Sequence, residues 1–202
     1  MVDVTQADVT LLAHAALTHP AYFEGTAQSV ASYFEGTVYV YIAPIESVST
    51  GDDPPYLLIQ ISPDSSGDDN WITILRFTMN ANVTPALANL TATEPVDETT
   101  IAVDDTTGLA AEDNVYIQDT TTLEDSEWHE LARANAGASV ELLSGLRVEK
   151  DSADDLFDQC LIEAAQVQLA GVDRIRAVIC HEAATGPNLH YKCVLKAATD
   201  IE

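Results

Sequence analysis

His181-Glu182-Ala183-Ala184-Thr185 falls one residue short of H-E-x-x-H, in which two histidines one helical turn apart hold zinc. Thr185 occupies the second ligand position, and the segment runs into Gly186-Pro187 instead of continuing a helix, so zinc hydrolysis is not expected. His14 with His19, and His181 with His190, make two further pairs. Neither pair has a third ligand in sequence, and exposed or core-edge histidines are the preferred reading. The acidic loops Asp64 to Asp69 and Asp104-Asp105 offer hard oxygens that suit Ca²⁺, but neither has the EF-hand spacing, and solvated turns are expected. No G-x-S-x-G, P-loop or G-x-G-x-x-G occurs, which leaves nucleophile-elbow and nucleotide chemistry without support. Carboxylates are so abundant that a pair at glycosidase separation carries no information. Trp71, Trp128 and Tyr116 have the rings for a sugar-binding face, although in a sandwich such residues more often belong to the core. Arg174 and Arg176 share one face of a strand. In so acidic a chain they are expected to pair with carboxylates, within the molecule or on a neighbouring subunit. With Leu11 and Leu12 they form the candidate protein-contact set. No catalytic, cofactor-binding or metal-ligating residue is assigned.

The totals narrow the partners. Thirty-three Asp and Glu face eight Lys and Arg, a net charge of −25. No basic residue precedes Arg76, and none lies between Arg76 and Arg133. That field repels phosphate backbones and anionic membranes, so neither nucleic acid nor membrane is an expected partner; it suits a salty medium in which self-repulsion is screened. A hydrophobic content of 47% is enough for a packed core. Cys160, Cys180 and Cys193 are odd in number and lack C-x-x-C spacing, so buried free thiols and folding in a reducing cytoplasm are expected. Asp3 and Asp8 and the lack of a basic leader region argue against a signal peptide, so the sequons at Asn82 and Asn89 read as chance. No apolar run approaches a membrane span.

The elements that must position these residues are short strands. Residues 1–20 form an N-terminal arm, with Leu11 and Leu12 among the apolar positions of an amphipathic segment from Ala7 to Leu17, read as a helix or as an arm on a neighbour. Tyr22-Phe23-Glu24-Gly25-Thr26 recurs as Tyr33-Phe34-Glu35-Gly36-Thr37, but one recurrence supports no repeat architecture. Strands are expected at Thr37–Ala43, Tyr56–Ser62, Trp71–Met79, Leu161–Leu169, Val172–Cys180 and Leu189–Ala197, the last two as a hairpin turning at Gly186-Pro187. Between them Thr99–Val103, Asn114–Gln118 and Ser139–Leu143 alternate and are cut by turns. The resulting expectation is all-β: an antiparallel β-sandwich or jelly-roll-like domain of residues 21–90 plus 159–202, with an inserted small β-rich module of residues 91–158. The links near Thr91-Ala92-Thr93 and Asp154-Asp155 read as exposed, which leaves the mobility of the module open.

The run from QISPDSSGDDNWITI to DRIRAVICHEAATGPNLHYKCVL resembles a family of small β-sandwich virion proteins of tailed phages. There a hairpin of the type x-D-G-x-W precedes a final R-x-R-V strand pair. The insertion, with VDDTTGLAAEDNVYIQDTTTLEDSEWHEL and LLSGL, resembles a β module of phage structural proteins that reads V-x-x-T-x-G-F/L-x-x-G-D-x-I-x-I, then S-E-W, then L-x-x-G-L. Glu112-Asp113 stands where that module has Gly-Asp. The resemblance implies a non-enzymatic virion structural protein, first of all a capsid decoration (cement) protein on the lattice of the major capsid protein. Its location would be the capsid surface of a virion assembled in the host cytoplasm. A homo-oligomer is expected, a trimer first. The alternatives are a head–tail connector or tail component, and a receptor- or glycan-binding module. The motifs are fold signals and carry over no catalytic residue and no cofactor.

Overall fold

The computed structural model describes residues 6–18, 21–46, 54–67, 70–80, 84–181 and 188–199. Its strands in chain order are β1 (Gln6–Leu17), β2 (Ala21–Glu24), β3 (Gln28–Ser29), β4 (Tyr33–Pro44) and β5 (Tyr56–Ser62). Then come β6 (Ile72–Thr78), β7 (Leu87–Asn89), β8 (Thr100–Ala102), β9 (Asn114–Gln118) and β10 (Glu127–Asn135). The series ends with β11 (Ser139–Leu142), β12 (Asp155–Phe157), β13 (Leu161–Gln168), β14 (Arg174–His181) and β15 (Leu189–Thr199). Among the described residues all pairings are antiparallel, and one 3-10 turn, Leu123–Asp125, precedes β10.

The fold is an antiparallel β-sandwich carrying a third, curled sheet. One face of the sandwich is β1-β15-β4-β13, the other β2-β14-β5-β6, with β3 also on β14. The period of two along each strand explains the stacking. Val38, Val40 and Ile42 of β4 point inward and are fully buried, as are Leu57 and Ile59 of β5 and Ile175, Ala177 and Ile179 of β14. Cys193, Leu195 and Ala197 of β15 complete that core, while Lys192 and Lys196 alternate to the outer face.

Three expectations change. The segment expected as a helix or a detached arm is β1, which pairs with β15 from Gln6 opposite Ala198 to Leu17 opposite Leu189. Two register shifts near Leu12 bend it, and Leu11 and Leu12 are both buried, which alternation alone forbids for neighbours. β14 and β15 are not a hairpin, because they belong to opposite sheets. Turn residues between them say that the chain reverses, not which sheet the next strand joins; β15 is captured between β1 and β4, with which it pairs along its whole length. The turn itself lies outside the described residues. The two Tyr-Phe-Glu-Gly-Thr copies also part, into β2 and β4 of different sheets.

The third sheet, β7-β12-β9-β10-β11-β8, curls until its outermost strands meet: Leu90 bridges Val103, and the Thr91 amide donates to the Ala102 carbonyl at 3.0 Å. Such closure removes the free edges that a small sheet would otherwise expose. Leu90, Ile101, Val115, Ile117, Leu131, Val140, Leu146 and Leu156 fill the interior. β7 therefore belongs to this module, so its core begins near Ala86, earlier than composition suggested. Asp154, expected in an exposed link, is buried and accepts hydrogen bonds from Thr120 and from the Asp151 amide.

The module's motif residues have readable causes. Leu142 and Leu146 of L-x-x-G-L are buried, and Gly145 between them lies so near Asp97 that a Cβ there would sit 2.7 Å from its carbonyl oxygen. Glu112, standing where the module has Gly, keeps the left-handed conformation with φ 70°. A glycine adopts that conformation without steric cost, a glutamate does not. Glu112→Gly is accordingly expected to stabilise the protein by about 1 kcal/mol, read as a higher denaturation midpoint in urea.

Candidate functional site

The module meets the sandwich through a compact aromatic core. Tyr116 of β9, Phe157 of β12 and Trp128 of β10 pack on Ala43, Ile45 and Cys160. The Tyr116 hydroxyl lies between two histidines, 2.5 Å from His190 Nδ1 and 3.1 Å from His14 Nε2. His190 extends from β15 and His14 from β1, so one phenol of the module ties together two strands of the sandwich. Burial lowers the pKa of both histidines from 6.5 to about 4, and for His14 the neighbouring His190 and Lys192 push the same way. Both are neutral near pH 7, and burial raises the Tyr116 pKa as well, so this is a junction of uncharged groups.

A second buried polar cluster lies in the module. Glu127, from S-E-W, is 2% exposed and accepts from the Arg147 and Val148 amides. Lys150, with no exposure at all, stands 3.3 Å from Glu127 and also donates to the Asp125 carbonyl. Desolvation alone would raise the Glu127 pKa; the contacts from His129, the two amides and Lys150 outweigh it and hold the carboxyl at about 2. The cluster clamps the connection after β11 against β10.

Beside the junction lies a cleft of about 510 Å³. The outer face of the β1-β15-β4 sheet supplies one wall, with Lys192 directly opposite Tyr41 and Lys196 opposite Asp8 in the strand register. The module supplies the other, with Trp128, Ser144 and Arg147. The Tyr41 and Trp128 rings approach across the cleft to 5.4 Å between centroids. Of the eight basic residues in the chain, three (Arg147, Lys192 and Lys196) line this one cavity. Among the described residues, Asp8 is the one carboxylate in its lining.

The residues singled out from sequence are dispersed. Arg176 is ion-paired to Glu24 at 2.8 Å and bonded to Gln60, while Arg174 donates to the backbone carbonyls of Asp64 and Gly67. Both stack over Trp71, so they are engaged within the chain. Leu11 and Leu12 line a groove of about 360 Å³ between β1 and β2, with their side chains in the sandwich core. His14 meets His190, a partner that neither sequence pair named; His19 and Glu182 to Thr185 lie outside the described residues. His181 is on strand β14, not on a helix. Asp104 and Asp105 cap turns, accepting from Asn89 and from the Thr107 amide. Asp64 is bonded to Asn70, and Asp68 and Asp69 are outside the described residues. Trp71 and Trp128 do not share a face, and Tyr116 is fully buried. All three cysteines are buried free thiols. Sequence reasoning missed the cleft, although its signal was present: Tyr39 and Tyr41, then Lys192 and Lys196, are the alternate positions that leave the core.

No family model and no curated protein matches the chain. Among solved structures, the chain is similar to a chain of the infectious bursal disease virus Gt strain structure, with 8% identity and a TM-score of 0.25, over 98% of this chain and 42% of that one. A chain of the Gx strain structure of the same virus gives 9% identity and a TM-score of 0.22, over 100% and 42%. The protein thus spans less than half the length of either, and at these values the likeness carries no argument about function.

Proposed function

We propose that the protein is a non-enzymatic structural component of a virus particle, a decoration protein that docks on the capsid lattice of a tailed phage and bridges neighbouring subunits. The observation that carries this reading is that four of the seven exposed large apolar side chains among the described residues lie on the edge strands of one sheet. Tyr22 and Phe23 on β2 are 59% and 48% exposed, and Ile72 and Ile74 on β6 are 57% and 36% exposed. These strands are the two lateral edges of β2-β14-β5-β6, roughly 14 Å apart at ordinary strand spacing. Soluble monomers usually blunt such edges with charge, because an unpaired strand is a template for addition of another. A sheet with two adhesive edges can join two neighbours, and the acidic remainder disfavours unspecific adhesion. The sequence resemblance to phage virion proteins points the same way. The expected location is the capsid surface, and a trimer is the first expectation for the free protein.

Quantitative mass spectrometry of purified particles tests this. About one copy per major capsid subunit, or one per three, supports decoration, whereas a ratio near one per cent moves the protein to a connector or tail. Complete absence from particles sinks both. Replacing Ile72 and Ile74 together by Lys is expected to lower particle occupancy about tenfold or more while the isolated protein melts as before.

A further inference from the structure

We infer that the cleft between the sandwich and the module is a binding site for a carboxylate-bearing saccharide. The first argument is charge placement. The chain has −25 net charge, yet Arg147, Lys192 and Lys196 converge on one cavity in which Asp8 is the single lining carboxylate among the described residues. Neither lysine is consumed by a strong partner among the described residues. Lys196 reaches Asp8 only at 4.0 Å with both side chains more than half exposed, and Arg147, itself 73% exposed, leans on Glu127 at 3.3 Å. Lys192 has no hydrogen bond or salt bridge among the described residues. The exposed Lys196–Asp8 pair exchanges readily for a better acceptor, and a carboxylate held by such donors forms the stronger, charge-assisted kind of hydrogen bond.

The second argument is the lining between the cations. Tyr39, Tyr41 and Trp128 present ring surface beside them, and Ser144 adds a hydroxyl. Apolar ring faces with a few polar groups suit a pyranose, whose C–H face stacks while its hydroxyls find partners, and about 510 Å³ falls within the range of small-ligand pockets. The third argument selects against polyanions. The attraction of three cations acts within a Debye length of about 8 Å, while a nucleic acid or an acidic peptide extends beyond it into the field of the remaining carboxylates. One carboxylate on a sugar takes the local attraction without that repulsion. This site is independent of which edge docks on a capsid.

The test is titration of the full chain with N-acetylneuraminic acid methyl glycoside and with a disaccharide ending in glucuronic acid, followed by calorimetry and by tryptophan fluorescence. Saturable binding of either at or below about 1 mM, with the carboxyl-reduced sugar at least about tenfold weaker, is expected. Lys192→Ala and, separately, the exposed Lys196→Ala should each weaken binding about tenfold with unchanged melting temperature, and Arg133→Ala, outside the cleft, should leave it unchanged. No saturation by about 10 mM, equal binding of the reduced sugar, or binding indifferent to both lysine variants overturns the proposal. Tighter binding of polyglutamate or of an oligonucleotide overturns the ligand class.

Discussion

Acidification from pH 7 to pH 5 at high salt will lower the melting temperature by roughly 5–10 °C. The cause is the His14–Tyr116–His190 junction. Each histidine titrates near 4 in the fold against 6.5 when unfolded. Between those values the unfolded chain binds more protons, so the stability contributed is complete above pH 6.5 and is lost as pH falls towards 4. A fully buried group with this shift loses about 2 kcal/mol by pH 5; with His14 only half-buried and partly screened, the two together lose about 3 kcal/mol. The groups facing them fix the sign. Tyr116 is uncharged, Trp128 packs on His14, and the nearby cation is Lys192, which resists a second positive charge. The acidic surface works against this trend only lower down, since ordinary carboxylates titrate chiefly below pH 5. Replacing both His14 and His190 by Gln should remove most of the difference between pH 7 and pH 5, whatever the variant's absolute stability. An unchanged difference would place the acid sensitivity elsewhere. Because the junction joins the module to the sandwich, hydrogen exchange at pH 5 should rise first in β9 and at the ends of β1 and β15.

Glu127→Gln will cost about 3–5 kcal/mol at pH 7, far more than loss of a surface charge. Lys150 is completely buried, and Glu127 is the carboxylate that balances it. Glutamine leaves that ammonium in the interior without a counter-charge and replaces one acceptor oxygen of the Arg147 and Val148 amides by a donor. Lys150→Met should cost less, because Glu127 keeps both amides and Arg147. Urea melts compare the two, and equal losses would mean that the pair does not act as an ion pair. Wild-type protein should show a second acid-sensitive range below the histidine one. The Glu127 pKa is lowered from 4.5 to about 2, so its contribution is complete above pH 4.5 and disappears as pH falls towards 2.

Local chemistry alone determined much of this molecule. Period-two alternation located β4, β5, β6, β9, β11 and β13 within a residue or a few, since a strand buried on one face must write that burial into every second residue. The charge imbalance and the turn residues are equally local, and so is the S-E-W … L-x-x-G-L frame of the inserted module. β10 and β12 lack that alternation of apolar residues. β10 mixes Glu127, His129 and Arg133 with Leu131, because it buries Glu127 and His129, whose partners include Ser144 and the Arg147 and Val148 amides beyond the strand, and β12 is three residues long.

Everything that depends on pairing was decided by the tertiary structure. A strand's own residues do not name its neighbours, so the separation of β14 from β15, the capture of β1 at a sheet edge and the closure of Leu90 on Val103 could not be read from composition. The same holds for the sites. His14, Tyr116 and His190 come from three distant stretches and meet only where the module seats on the sandwich. Arg147 reaches the cleft from the module and Lys192 and Lys196 from the last strand. Sequence spacing carries the chemistry of a site when one element holds it, as in a metal-binding helix. Here the groups are spread over one sheet of the sandwich and the curled module, and only the packing of those two bodies brings them within a few ångströms.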